Sequence, residues 1–334
     1  MSVYIIAEIG VNHNGNLELA KKLVEVAKQC GADAVKFQTF KAEESTGIKA
    51  DKAEYQKKND VMEESQFEMI KKLELTFENF AFLKKYCEKK DIDFISTPDG
   101  EQSLECLINM GVPKIKIGSM EITNYPFLKK IAQCKKKIIL STGMSTLGEV
   151  EKALDILLEN GAQDIELMHC TTDYPTDVED VNLKAMLTLK NAFNLPVGYS
   201  DHTLGFEAAV AAVAMGAVVI EKHITLDREM KGPDHRASMP PKEFGEYVFH
   251  IRNTEKLLGD GRKKPTSKEK VMMQQVRRSI LSSQKLKAGT ILTEEMLCVK
   301  RPGIGIAPEF ESLLLGRKLK RDIEKEEPIM WDDI

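Results

Sequence analysis

The chain has 334 residues, with 48 Lys and Arg against 52 Asp and Glu, for a formal charge of −4 at neutral pH. That balance offers no global positive field to nucleic acid or an anionic membrane, so any anionic ligand must be held locally. At 42% hydrophobic and 30% charged residues, the composition is that of an ordinary globular protein of about two domains, with no apolar run near the roughly 18 residues of a membrane span.

The opening run MSVYIIAE has no basic stretch ahead of it and no small-residue cleavage pattern, so it reads as a buried strand and not as a signal peptide. The six cysteines, Cys30, Cys87, Cys106, Cys134, Cys170 and Cys298, are scattered without a CxxC pair. Such usage points to reduced thiols and a cytoplasmic protein.

Strands are expected at residues 3–10, 33–39, 93–97, 114–119, 137–143, 165–171, 196–202 and 218–224, each a short apolar or β-branched run. Between them LELAKKLVEVAKQ, FENFAFLKKYCEKK, GEVEKALDILLENG and GFEAAVAAVAMG carry apolar stripes at helical spacing. Eight βα units within about 250 residues predict a TIM barrel. The competing open, doubly wound sheet calls for GxGxxG after the first strand, which EIGVNHNGN lacks.

The second connection, residues 40–90, is unusually long and begins with the polar stretch KAEESTGIKADKAEYQKKNDVMEES. On a barrel such a loop builds the active-site rim, unless it is simply a solvated charged face. Residues 259–276, centred on GDGRKKPTSKEK, have linker composition, which ends the barrel domain at 258. Residues 277–334 then read as a small β-rich module with short strands and turns.

Barrel enzymes carry their catalytic groups at the C-terminal ends of the strands. In strand order those ends hold Glu8; Lys36 and Gln38; Ser96 and Thr97; Lys116, Ser119 and Glu121; Ser141 and Thr142; His169, Thr171 and Tyr174; Asp201 and His202; and Glu221 and His223. Burying so many polar groups without partners would cost a few kcal/mol each, so a ligand is expected among them, with some members purely structural. His202 and His223 end neighbouring strands and suit a borderline divalent ion with open positions, although each can equally be a satisfied hydrogen-bonding group. His13 shares that ambiguity, while His235 and His250 read as loop and helix surface.

Lys36 and Lys116 sit among apolar neighbours and want an anion, and with Thr97, Ser119 and Ser141 they suit a phosphate beside a carboxylate. The structural alternative pairs each lysine with Glu8 or Glu121. A Schiff-base aldolase using one of the lysines is the chemical rival. In GPDHRAS, Asp234 either accepts hydrogen bonds from sugar hydroxyls or belongs to a plain turn.

With these residues assembled, the chain resembles the sialic acid synthase family, the phosphoenolpyruvate-dependent nonulosonate synthases. The resemblance runs from Ile5 to about Ile329 through AEIGVNHNG, GADAVKFQTF, the KAEYQ loop, STP, IKIGSME, ILSTGM, HCTTDYPT, GYSDHT, VIEKHITLD, GPDHRAS and VKRPGIG, in that order. It implies a TIM barrel, a flexible linker and an antifreeze-like (SAF) domain, in a homodimer whose SAF domain covers the partner's barrel mouth. His202 and His223 would then hold Mn²⁺, or Mg²⁺ or Co²⁺ in its place. Phosphoenolpyruvate would lie on Lys36, Thr97, Lys116, Ser119, Ser141 and Thr172. Gln38, Tyr174, Asp234 and, in trans, Arg301 would face an N-acetylated amino sugar, with Glu8, Glu221 and Lys116 at the reacting atoms.

The implied reaction condenses phosphoenolpyruvate with the open-chain aldehyde of N-acetylmannosamine to give N-acetylneuraminate and phosphate. The alternative within the family is legionaminate synthesis from 2,4-diacetamido-2,4,6-trideoxymannose. Thr172, Met120 and Asp99 depart from the family pattern, which has Asn, Gly and an aromatic there. A third reading, a carbohydrate- or ice-binding protein, draws only on the antifreeze-like tail, and the polar strand ends argue against it.

Overall fold

The computed structural model describes residues 2–51 and 65–334. The KAEYQ motif, residues 52–56, lies outside them. The chain divides into two compact units, Met1–Gly259 and Asp260–Ile334.

The first unit contains eight parallel strands: β1 (Tyr4–Gly10), β2 (Ala34–Phe40), β3 (Asp93–Asp99), β4 (Lys114–Ile117), β5 (Lys137–Ser141), β6 (Ile165–Cys170), β7 (Val197–Asp201) and β8 (Val219–His223). Their order, β3-β2-β1-β8-β7-β6-β5-β4, wraps into a near-closed TIM barrel, with β3 and β4 adjoining at a seam that lacks a ladder. Crossover helices follow the strands, and some of them start at side-chain caps. Asn16 accepts from the Leu19 amide, and Thr146 with Glu149 forms a capping box.

Strand residues alternate between the two faces, and here both faces are buried. The outward set, including Ile5, Ala7, Val35, Phe37, Leu140 and Ile220, packs against the helices in the main core. The inward set stacks in layers. One is apolar, made of Ile6, Ala34, Ile95, Ile139, Met168 and Val219. Gly198 completes that layer from β7 because a Cβ there would lie 2.3 Å from Val219 Cγ1. Two residues further along each strand the inward positions turn polar, and there the site begins.

The second unit has its own core of Ile280, Leu286, Leu292, Ile306, Leu314, Leu319, Ile323 and Ile329. Strands β9 (Ser279–Ser282) and β10 (Leu297–Lys300) pair antiparallel across it. Within the stretch of linker composition, Ser267–Val276 is helical, started by a capping box of Thr266 and Glu269 and burying none of its side chains. Among the described residues, no helix is long and apolar enough to cross a membrane. All six cysteines are free thiols.

Candidate active site

At the C-terminal ends of the strands lies a cavity of about 860 Å³, and it is lined by Glu8, Lys36, Gln38, Thr97, Lys116, Ser119, Ser141, Thr172, Tyr174, His202, Glu221, His223 and Asp234, all the barrel residues to which the family resemblance gives a role. Of the long second connection, Glu44 to Gly47 and the helix Gln66–Leu73 form part of the wall. Arg301 directly follows β10 in the second unit.

The floor is cationic. Lys36 and Lys116 are almost fully buried, and each donates to a hydroxyl: Lys36 Nζ to Thr97 Oγ1 at 3.2 Å, Lys116 Nζ to Ser141 Oγ at 2.6 Å. Lys36 Nζ lies 2.8 Å from Glu8 Oε2 and 3.9 Å from Glu221 Oε1, and Lys116 Nζ also stands 3.9 Å from Glu221 Oε1. Glu221, not Glu121, is therefore the acid near Lys116. Beside this floor Ser119 Oγ accepts from the Gly143 amide at 2.9 Å and lies 3.2 Å from Cys170 Sγ. A Cβ at Gly143 would meet Thr172 Oγ1 at 2.3 Å and the Ser119 oxygen at 2.9 Å. The missing side chain leaves room for a cradle of small polar groups, the kind of surface that receives an anion.

The two floor acids are pushed apart. Burial outweighs the nearby Lys36 and raises the Glu8 carboxyl to about 7. Burial would raise Glu221 too, but Lys116, Lys36 and His202 together hold it below its usual range. Gln38 Nε2 donates to Glu8 Oε1 at 3.2 Å and Ser200 Oγ to Glu221 Oε1 at 3.1 Å. Both Oε2 atoms stay buried with no hydrogen bond, the ion pair to Lys36 notwithstanding. A paired proton acceptor and permanent carboxylate result. Burial would lower Lys36, but Glu221 and Glu8 hold its ammonium above the usual range, while burial lowers that of Lys116. On the walls, burial raises Asp99 to about 7 and Asp234 to about 6.

The rings of His202 and His223 lie 5.9 Å apart, with the Tyr174 ring 4.2 Å from His202 and tilted 38° to it. His202 Nδ1 bonds the Thr171 carbonyl at 2.6 Å, which fixes the ring, and His223 Nδ1 is buried without a partner. Burial holds both imidazoles below their usual range and hence neutral, the form that binds metals. No group of three His, Cys, Asp or Glu suited to a metal exists among the described residues. As neutral imidazoles the two histidines fit two positions of a divalent ion's ligand set, and the remaining positions would have to come from water or substrate oxygens.

Other strand-end groups are structural. Ser96 donates to the Phe37 carbonyl, Thr142 Oγ1 to the Met168 carbonyl, and His169 Nε2 bonds the Val181 carbonyl. Asp201 points outward, in phase with Tyr199. His235 corrects a surface reading: it is fully buried, with Nδ1 2.7 Å from Thr225 Oγ1 and Nε2 3.3 Å from Asn14 Oδ1. GPDHRAS is a polar run without periodicity, which conceals such burial in the sequence. His13 is likewise buried, and His250 stacks on Phe206. Ser200 and Cys170 escaped notice in the sequence, although both lie two residues from, and so in phase with, positions that face the cavity.

Residues 23–263 match the NeuB family and residues 277–334 the SAF domain. The chain is 50% identical to the N,N'-diacetyllegionaminic acid synthase of Campylobacter jejuni, over 97% of this chain and 98% of that protein. It is 36% identical to the human N-acetylneuraminate-9-phosphate synthase over 98% and 91%. A crystal structure of the N-acetylneuraminic acid synthetase of Leptospira borgpetersenii in complex with citrate superposes with a TM-score of 0.72 at 36% identity, covering 82% of this chain and 90% of that one.

Proposed function

The chain belongs to the NeuB family of phosphoenolpyruvate-dependent nonulosonic acid synthases, and from that premise we propose that it joins phosphoenolpyruvate to the open-chain aldehyde of an N-acetylated amino sugar. The observation that carries this reading is the buried pair Lys36 and Lys116 beside the Ser119, Ser141 and Thr172 hydroxyls. It offers two adjacent anion seats, one for the carboxylate and one for the phosphate of a single small molecule.

The lysines hold that molecule so that its C3 meets the aldehyde carbon. As the new C–C bond forms, the aldehyde oxygen takes a proton from solvent water and positive charge develops at C2, where the Glu221 carboxylate offsets it. Water adds at C2 and gives a proton to Glu8, whose raised carboxyl is matched to neutral pH. The bond from C2 to the phosphate-bearing oxygen then breaks, and the C2 hydroxyl passes its proton to the departing phosphate, leaving the 2-keto acid and inorganic phosphate. A divalent ion, Mn²⁺ by preference, held by His202 and His223 would supply Lewis-acid polarisation of the aldehyde. Tyr174, Gln38 and Asp234 face the sugar. In a cytoplasmic homodimer, Arg301 of the partner subunit completes its recognition, and Arg301→Ala raises the sugar KM well beyond the phosphoenolpyruvate KM.

For the sugar, 2,4-diacetamido-2,4,6-trideoxymannose takes precedence over N-acetylmannosamine. Val11, Phe40, Met69 and Leu73 form an apolar cluster on the cavity wall, suited to a C6 methyl group and unsuited to a C6 hydroxyl. The test is phosphate release by metal-stripped protein given phosphoenolpyruvate, with and without Mn²⁺, and each sugar in turn. Metal-dependent release with a higher kcat/KM for the trideoxy sugar is expected. A higher value for N-acetylmannosamine reassigns the sugar, and no release with either ends the proposal. Borohydride trapping is expected to label neither Lys36 nor Lys116.

A further inference from the structure

A second charged pair lies outside the cavity, on the opposite face of the same two strands. Asp201 and Lys222 are direct neighbours in the β7–β8 ladder, almost fully buried against the helix Pro241–Leu258, with Nζ 3.2 Å from Oδ2. Asp201 Oδ1 accepts from the Thr203 amide at 2.9 Å and the Thr203 hydroxyl at 2.7 Å, and Oδ2 from Tyr247 OH at 3.0 Å. Lys222 Nζ also donates to the Thr203 carbonyl.

By alternation, each member is one residue from a group that faces the cavity. Asp201 and Thr203 bracket His202, and Lys222 separates Glu221 from His223. β7 ends at Asp201, so no ladder bond holds His202 itself. Beyond the Thr176 amide that donates to its carbonyl and the Thr171 carbonyl that meets its ring, that residue is pinned by the turn closed by Asp201 onto Thr203 and fastened across to β8 by Lys222. A buried ion pair is a poor source of net stability, but a fully bonded one is rigid. We propose that Asp201 and Lys222 are positioning residues that hold the His202 and His223 imidazoles in register with each other for a shared cation. The inference rests on the two-histidine ion site of the proposed function.

Calorimetric titration of Mn²⁺ into the metal-stripped full chain, with thermal unfolding as the check on folding, tests it. Lys222→Met and Asp201→Asn should weaken Mn²⁺ binding about 10- to 100-fold, the usual effect of losing an outer-sphere partner. The phosphoenolpyruvate KM should stay within about twofold while kcat falls, because the anion seats belong to other strands. Tyr247→Phe, which keeps the ion pair, should cost only about threefold, and it serves if the charge variants fail to fold. Lys137→Met, at the far end of the barrel, should bind Mn²⁺ as the unaltered chain does. Unchanged affinity in folded Lys222→Met or Tyr247→Phe protein overturns the proposal and leaves the network a purely structural one. A wild-type chain that binds no Mn²⁺ also overturns it, while phosphate release would still judge the synthase reading separately.

Discussion

The two ends of the barrel interior are both charged, yet only one is built to receive anything. At the N-terminal end Lys137 reaches Glu166 at 2.6 Å, and Lys114 lies 3.8 Å from Asp93 with its ammonium over the Tyr4 ring. These groups are partly exposed, and partners and water satisfy them. At the C-terminal end Glu8, Lys36, Lys116 and Glu221 are at most 5% exposed, and two carboxylate oxygens have no hydrogen bond. The same residue types thus serve as a solvated plug at one end and a buried, charged cavity floor at the other. What distinguishes them is burial, since charges removed from water are costly unless partners or a ligand meet them, and Glu221 Oε2 has no hydrogen-bond partner.

The sharpest way to break this contrast is at Glu8. Glu8→Gln should lower kcat about 10²- to 10⁴-fold, as expected for a lost general base. The pH profile adds a second sign. In the unaltered enzyme kcat/KM should rise with pH through about 7 as Glu8 gives up its proton, and steady-state kinetics on the variant should show that limb gone. Next comes Lys36→Met, for which kcat/KM toward phosphoenolpyruvate should fall about 10²-fold through the loss of a charge-assisted contact.

Acid stability sharpens the comparison from outside the seat. Burial holds His13 and His235 to about 4, against an ordinary 6.5. Both are neutral when folded, so their contribution is whole above pH 6.5 and is lost as pH falls from there toward 4. The loss is on the order of 3 kcal/mol for each. Glu8, Asp99 and Asp234 have the opposite sign over an overlapping window, because their raised carboxyls favour the folded state at low pH. The difference between His235→Asn and the parent therefore isolates the histidine: thermal unfolding at pH 6.5 and 4.5 should show a smaller drop in the variant. The smallest effect is Ser141→Ala, which removes one hydrogen bond from Lys116 and should raise the phosphoenolpyruvate KM about fivefold.

The barrel was legible because parallel strands buried on both faces appear as unbroken apolar runs, as in Lys137–Ser141. The seat was legible because Lys36, Lys116 and Glu221 interrupt such runs at one end. Sequence could not tell which strand-end group points inward: Asp201 and His202 are adjacent, and only the strand's phase sends one to the helices and the other to the cavity. Pairing across strands, such as Glu221 between the two lysines, depends on barrel stagger, which no local pattern records. The helix Ser267–Val276 did leave a signal, the Thr266–Glu269 capping box, but its polar composition masked it.

The central claim is that the C-terminal end of the barrel binds the two anionic groups of phosphoenolpyruvate and the solvated N-terminal end does not. Calorimetric titration of phosphoenolpyruvate into the parent chain, Lys116→Met and Lys137→Met tests it most directly. The account predicts binding to the parent and to Lys137→Met with equal affinity, and a loss of about 10²-fold in Lys116→Met. Equal affinity in all three, or a loss in Lys137→Met alone, would contradict it.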